Sequence, residues 1–179
     1  DNQYLFGDYF LVAPILDESN ERDIYLPEGI WTDYWDKKQY QGRQWIKYSA
    51  NLDKLPLFIR QDAIIPTGPV MNYIDEKECD PITLDLYPVK GEQRFELIDG
   101  DNVIDIHMLT GDNTIRVDIS PSNHNFVLQI NNIASAKQIE VQGRSVNISK
   151  DDGGQYYIKD KILFVKIASQ NNSINVVVS

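Results

Sequence analysis

Asp1-Asn-Gln-Tyr-Leu-Phe-Gly-Asp-Tyr-Phe-Leu-Val-Ala-Pro-Ile-Leu16 decides how the chain is read. Residues 9–16 are an almost unbroken apolar run, punctuated by Pro14, which is the composition of a strand buried on both faces. Strands of that kind belong to parallel sheets sheltered by helices. Nothing after Leu16 repeats the pattern. The stretch therefore predicts the last strand of a barrel whose other strands lie outside this chain, and the chain is expected to be the back end of a larger enzyme.

Beyond Leu16 the pattern changes to short alternating runs separated by turn residues. Residues 17–22 are polar and read as a loop. Strands are expected at 24–26, 31–35, 44–48, 55–59 and 63–66, with turns at Pro27-Glu-Gly29, Asp36-Lys-Lys38 and Gly42. Gly68-Pro69 and Asp80-Pro81 bracket a loosely patterned acidic stretch that connects two sub-domains. Further strands are expected at 82–87, 94–98, 103–108, 114–119, 126–130, 138–141, 156–158, 162–167 and 174–178. Ile115, Val117 and Ile119 enclose Arg116 and Asp118, a clean inside/outside alternation. Turns fall at Gly100, at 111–113, at Gly143 and at 151–154. No segment carries a helical period. The expectation is an all-β chain of two consecutive antiparallel β-sandwich domains, residues 17–80 and 81–179, preceded by an orphan barrel strand over 1–16. Domains this small bury a modest fraction of their surface, so an apolar interface between them is expected.

The bulk composition narrows the partners. In 179 residues, 27 acidic side chains face 17 basic ones, for a net charge of −10. That balance argues against nucleic acid, whose phosphates need clustered Lys and Arg, and against anionic membranes. A neutral ligand such as a sugar fits it. No apolar stretch approaches the ~20 residues that span a bilayer. Cys79 is the single cysteine, which excludes an intrachain disulfide and reads as an incidental thiol. No signal peptide is visible, and the compartment stays open with the cytoplasm favoured.

Catalytic constellations are sparse. The carboxylate pairs Asp33/Asp36, Asp99/Asp101 and Asp151/Asp152 sit in turns, where Asp is favoured for local hydrogen bonding. Asp99-Gly-Asp-Asn102 has the look of a calcium loop, but Val103 and the missing downstream Glu break the EF-hand pattern. His107 and His124 make no zinc set with one cysteine. Neither a Ser-His-Asp arrangement nor a phosphate loop is present. Asn147-Ile-Ser149 and Asn171-Asn-Ser173 match the glycosylation tripeptide. Neither metal nor cofactor is expected.

Aromatics carry more. Trp31, Tyr34, Trp35, Tyr40, Trp45 and Tyr48 crowd into 18 residues. One reading makes Trp31, Trp35 and Trp45 a sugar-binding platform. The other packs Trp31 and Trp35 from one strand face into the first core, with their N–H groups paired at its rim.

Phe6-Gly-Asp-Tyr-Phe-Leu-Val-Ala-Pro14, Tyr25-Leu-Pro-Glu-Gly-Ile-Trp-Thr32, and Leu55-Pro-Leu-Phe-Ile-Arg60 with Ile64-Ile-Pro66 together resemble the C-terminal third of glycoside hydrolase family 31, the retaining α-glucosidases and α-xylosidases. The resemblance runs over residues 3–69. The Leu-Pro-Glu-Gly-x-Trp-Thr form and Gln44-Trp-Ile-Lys47 are most similar to the bacterial and archaeal α-xylosidase branch. It implies that residues 9–16 are the eighth strand of a (β/α)8 barrel, followed by a proximal and then a distal β-sandwich. The distal half departs from the family, with Leu97-Ile-Asp-Gly-Asp-Asn102 where many members carry Leu-Tyr-Glu-Asp-Asp-Gly. The family's nucleophile, acid/base aspartate and substrate-contacting residues lie upstream, so no residue here inherits a catalytic role. The implied function is structural support of the barrel of a retaining α-glycosidase that hydrolyses terminal α-linked sugars. The implied partner is that barrel; an oligosaccharide and a second copy of the chain are the others considered. The alternative is a carbohydrate-binding module using Trp31, Trp35 and Trp45.

Overall fold

Period-two alternation runs through the longer strands of the second unit in the computed structural model, which describes residues 2–51, 53–73, 76–149, 154–169 and 172–179. All regular elements among the described residues are strands. The chain divides into two compact units, Asp1–Ala63 and Ile64–Ser179. Each has its own apolar core. The turn expected at 151–154 lies, but for Gly154, outside the described residues.

The first unit holds β1 (Tyr4–Phe6), β2 (Phe10–Val12), β3 (Glu21–Leu26), β4 (Ile30–Asp33), β5 (Gln39–Gln41), β6 (Gln44–Ser49) and β7 (Leu57–Arg60). Five of them make one sheet in the order β1-β2-β7-β4-β5, and β3 pairs with β6 as a separate ribbon. Alternate residues of the ribbon, Ile24, Leu26, Ile46 and Tyr48, pack with Leu11, Ala13, Trp31 and Phe58. Phe58 is the hub. The Tyr40 and Tyr48 rings meet it edge-on at 5.9 and 5.4 Å between centroids, a favoured aromatic geometry.

Residues 9–16, expected as an orphan strand with no parallel neighbours in this chain, have antiparallel ones over Phe10–Val12. β2 is flanked by β1 and by β7, antiparallel to both, with Phe10 opposite Phe6 and Ile59. The physical reason is Gly7, whose φ of +61° lets the chain fold back over three residues. Tyr4–Phe6 can therefore pair with Phe10–Val12. Leu11, Val12 and Ala13 are buried as the apolar run requires, whereas Leu16 is exposed.

Gly42 has a different role. A Cβ built there would stand 1.8 Å from the Pro27 carbonyl oxygen. Its N–H donates to Gly29 O at 2.7 Å, and the Arg43 N–H donates to Pro27 O at 3.3 Å. The β5–β6 corner is thus pressed backbone to backbone on the 27–29 turn.

The second unit holds β8 (Ile64–Thr67), β9 (Ile82–Leu86), β10 (Gly91–Asp99), β11 (Asn102–Thr110), β12 (Ile115–Ile119), β13 (Phe126–Asn131), β14 (Ile139–Val141), β15 (Arg144–Val146), β16 (Tyr156–Lys159), β17 (Ile162–Ile167) and β18 (Ile174–Val178). They form a six-stranded sheet, β10-β11-β12-β18-β14-β15, and a five-stranded sheet, β16-β17-β13-β9-β8. The inner faces are apolar: Ile115, Val117 and Ile119 with Ile174, Val176 and Val178 from one sheet, and Ile82, Leu84 and Leu86 with Phe126, Leu128 and Ile130 from the other. β9 and β13 run parallel, a departure from all-antiparallel pairing. Alternation marks faces, not strand direction, so nothing in the sequence distinguishes the two. β8 lies in residues grouped by sequence with the first sandwich, and it pairs with β9 in the second unit.

On the outer face of the six-stranded sheet, Arg94, His107, Asp118 and Asn175 stand in register across β10, β11, β12 and β18. Arg116 holds Asp118 through two bonds, at 2.7 and 3.1 Å, and the Asn175 amide adds one at 2.6 Å. Partial burial pushes the Asp118 carboxyl up, but these donors outweigh it and hold it below the usual carboxylate range.

Two outcomes follow from this packing. Gly42→Ala has no room for its methyl unless the 27–29 turn moves, so we expect a loss of at least about 2 kcal/mol, measured by denaturant unfolding with Trp31 fluorescence as the probe. For Asp118 the folded-state pKa is lowered, so its stabilisation is present above about pH 4 and is lost as the pH falls through the native value. Arg116→Ala should raise the Asp118 titration midpoint in carboxyl NMR and flatten the acid limb of the stability profile. An unchanged midpoint would show that Arg116 does not hold the carboxylate.

Candidate functional site

The three tryptophans singled out as sugar ligands fall in three different environments. Trp31, on β4, is 2% exposed, and its Nε1–H donates to Pro27 O at 2.9 Å. Both faces of this indole are covered by the core, so it presents no surface to a ligand. Trp35 lies beyond the end of β4 and does not share its strand face. It is 42% exposed, with Nε1–H donating to Leu55 O at 2.7 Å and the Tyr34 ring edge-on at 5.1 Å. Trp45, on β6 of the ribbon, is 67% exposed. Its partner is Tyr25, directly opposite on β3, with ring centroids 5.4 Å apart and planes tilted by 54°. Tyr25 was not among the residues chosen from sequence. Only the β3–β6 register places it beside Trp45, 20 residues away.

The carboxylate pairs are engaged locally. Asp33 is fully buried, and one carboxylate oxygen accepts the N–H groups of Trp35 at 2.7 Å and Asp36 at 3.2 Å. Asp36 in turn accepts the Lys38 N–H at 2.8 Å. Both stabilise the β4–β5 turn. Burial and the bond to the Asp33 carboxylate drive the Tyr48 hydroxyl well above the normal tyrosine range, so it stays a protonated donor. Asp151 and Asp152 lie outside the described residues, as does Asn171 of the second glycosylation tripeptide. Ser149 of the first is fixed by its N–H bond to Tyr156 O at 2.6 Å.

Asp99-Gly-Asp-Asn102 is the tip of the β10–β11 hairpin, with Gly100 at φ +59°. The structure brings to it a partner that sequence spacing does not reveal. His124 Nε2 lies 2.8 Å from Asp99 Oδ2, and its Nδ1 lies 3.9 Å from Asp80 Oδ1. Asp80 also accepts the Asn125 N–H at 2.7 Å. The imidazole fills the space between the two carboxylates, so they do not face each other across a sugar-sized gap. Beside it is an open cleft of about 270 Å³, with Asn102, Ser122 and Asn123 on its rim. His107 sits separately on β11, 2.9 Å from Glu92. Among the described residues, no three His, Cys, Asp or Glu side chains converge as metal ligands.

A retaining glycosidase needs two carboxyl groups about 5–5.5 Å apart on either side of a bound sugar. Asp33 is committed instead to its turn, Asp99 to a histidine clasp, and Asp112 and Glu92 to surface ion pairs.

Residues 1–65 match the model of the glycosyl hydrolase family 31 C-terminal domain. A 1,6-α-glucosyltransferase of Sporosarcina globispora is 39% identical over 102 residues, which are 55% of this chain and 8% of that protein. An α-xylosidase of Saccharolobus solfataricus is 37% identical over 106 residues, 58% of this chain and 14% of that protein. Among solved structures, the cycloalternan-forming enzyme of Listeria monocytogenes superposes on 100% of this chain with a TM-score of 0.91 at 28% identity, using 19% of its own length. A dextranase of Flavobacterium johnsoniae covers 99% of the chain with a TM-score of 0.89 at 25% identity, over 26% of its length. The chain thus spans a quarter or less of most of the proteins it matches. From the motifs, the all-β fold and these likenesses, the chain is similar to the C-terminal portion of glycosyl hydrolase family 31 enzymes, and residues 1–65 carry the match to that family's C-terminal domain.

Proposed function

We propose that the chain is the accessory C-terminal part of a retaining α-glycosidase of the α-xylosidase or α-glucosidase type, and that it braces a catalytic barrel without contributing to bond cleavage. The observation that carries the reading is the superposition of nearly the whole chain on a small share of much larger carbohydrate-active enzymes. The fate of the carboxylates supports it. Asp33 is sealed in its own turn and Asp99 is clasped by His124, so neither stands free to attack an anomeric carbon or to protonate a leaving oxygen.

In this reading the first unit is the proximal domain and the second the distal one. The parent's reaction is a double displacement. One barrel aspartate attacks the anomeric carbon while the other protonates the glycosidic oxygen, and water then releases the sugar with its α configuration retained. The barrel is the partner, and the exposed edge strand β1, with Tyr4, Leu5 and Phe6 open, offers it unpaired backbone and apolar side chains.

The test is turnover. Purified chain incubated with 4-nitrophenyl α-xyloside and α-glucoside should release no nitrophenol above the buffer rate. Activity that co-elutes with the chain through a final sizing column would overturn the proposal.

A further inference from the structure

An indole two-thirds exposed on a sheet face is an uncommon use of the largest apolar side chain. Trp45 is placed there by the strand period. Ile24, Leu26, Ile46 and Tyr48 turn into the core of the first unit, so Tyr25 and Trp45 must point the other way. The next pair in register on that outer face is Asp23 with Lys47, about 7 Å along the strands. Beyond it stands Glu21, 3.7 Å from Lys47. At the opposite end the ion pair Arg43–Glu28, at 2.6 Å, borders the rings, with Arg43 close enough to feel the Tyr25 hydroxyl. The pair is also held from behind. The Gln3 amide bonds both the N–H and the C=O of Tyr25, at 3.0 and 2.8 Å, closing the open edge of β3.

We propose that this face is a binding site for a neutral pyranoside, with one sugar ring lying on Trp45 and leaning against Tyr25. The C–H groups on the flat side of a pyranose match the negative face of an aromatic ring. The hydroxyls at its rim need donors and acceptors within one residue pair, and Lys47, Asp23 and Arg43 supply them. The balance of charge argues against an anionic ligand. Glu21, Asp23 and Glu28 against Lys47 and Arg43 leave one net negative charge around the rings, in a chain that carries −10. Two rings offer about 300–500 Å², enough to seat one sugar ring. The clamp by Gln3 means that little ordering cost falls on the protein when the sugar binds.

This inference does not depend on the accessory role proposed above, because it is read from binding and not from turnover. The experiment follows the three indole N–H signals of the full chain by proton–nitrogen NMR during titration with maltotriose and, separately, isomaltotriose. The Trp45 signal should move saturably with a Kd of about 1–10 mM, while those of Trp31 and Trp35, tied to Pro27 O and Leu55 O, stay nearly fixed. Trp45→Ala should weaken binding at least tenfold and Lys47→Ala about threefold, with Trp35→Ala unchanged. No saturable shift up to about 50 mM of either sugar, or a Trp45→Ala variant that binds as before, overturns the proposal. Should Trp45→Ala fail to fold, Lys47→Ala decides, since that side chain is exposed, and an affinity unchanged by it is equally fatal. Either failure leaves the accessory reading standing, which falls only if the chain hydrolyses a glycoside.

Discussion

A strand has two faces, and a sheet that buries one of them obliges every second side chain to be apolar. That constraint governs both units. In the second it assembles Ile82, Leu84 and Leu86, Phe126, Leu128 and Ile130, and Ile174, Val176 and Val178 into one continuous core, each in register with its neighbours. A slip of one residue in β13 would exchange Leu128 for Gln129 and put an amide among aliphatic groups, so the register is held by the cost of burying an unpaired polar group. In the first unit the same rule turns Ile24, Leu26, Ile46 and Tyr48 inward around Phe58 and leaves Tyr25, Trp45, Asp23 and Lys47 outward. Core and surface chemistry are two consequences of one periodicity.

That periodicity explains which parts of the structure were legible in the sequence. Residues 115–119, 126–130 and 162–167 announce themselves as strands because alternation persists over five or six positions, and the strands found there match. Short pieces do not. Tyr4–Phe6, Gln39–Gln41 and Arg144–Val146 are three residues each, too short for a period to register, and each owes its conformation to the strand it pairs with. The reading of residues 9–16 illustrates the converse. Its apolar run does report burial, at Leu11, Val12 and Ala13, but burial alone does not name the neighbours. Gly7 and the antiparallel registers with Tyr4–Phe6 and Leu57–Arg60 supply them.

Site chemistry was less legible for a related reason. Trp31, Trp35 and Trp45 look equivalent in a list of aromatics, yet their environments diverge completely once the strands are paired. Trp31 points inward from β4, Trp35 has left that strand for a turn, and Trp45 points outward from β6. Two of the partnerships that matter most, the rings of Tyr25 and Trp45 and the polar pair Asp99 and His124, join residues 20 and 25 positions apart. Spacing along the chain carries no trace of them. The motifs around residues 6–14, 25–32 and 55–60 were more informative than any single side chain because they combine core positions with turn geometry. In Tyr25-Leu-Pro-Glu-Gly-Ile-Trp-Thr32, Leu26 and Trp31 are core, Gly29 takes a φ of +117°, and the Pro27 carbonyl receives the Trp31 indole.

The same segment shows how tightly the first unit constrains its own sequence. Pro27 O accepts from the Trp31 ring and from the Arg43 N–H, and it stands where any Cβ on Gly42 would collide. One carbonyl thereby fixes the inward indole, the 27–29 turn and the corner that launches β6. β6 is the strand that carries Trp45 outward. The geometry of the exposed aromatic pair is thus set by the packing of the buried one, through backbone contacts that tolerate no added methyl. A change at Gly42 or Pro27 would act on both faces of the ribbon at once, so selection for a stable core and selection for the outer surface fall on the same few backbone atoms.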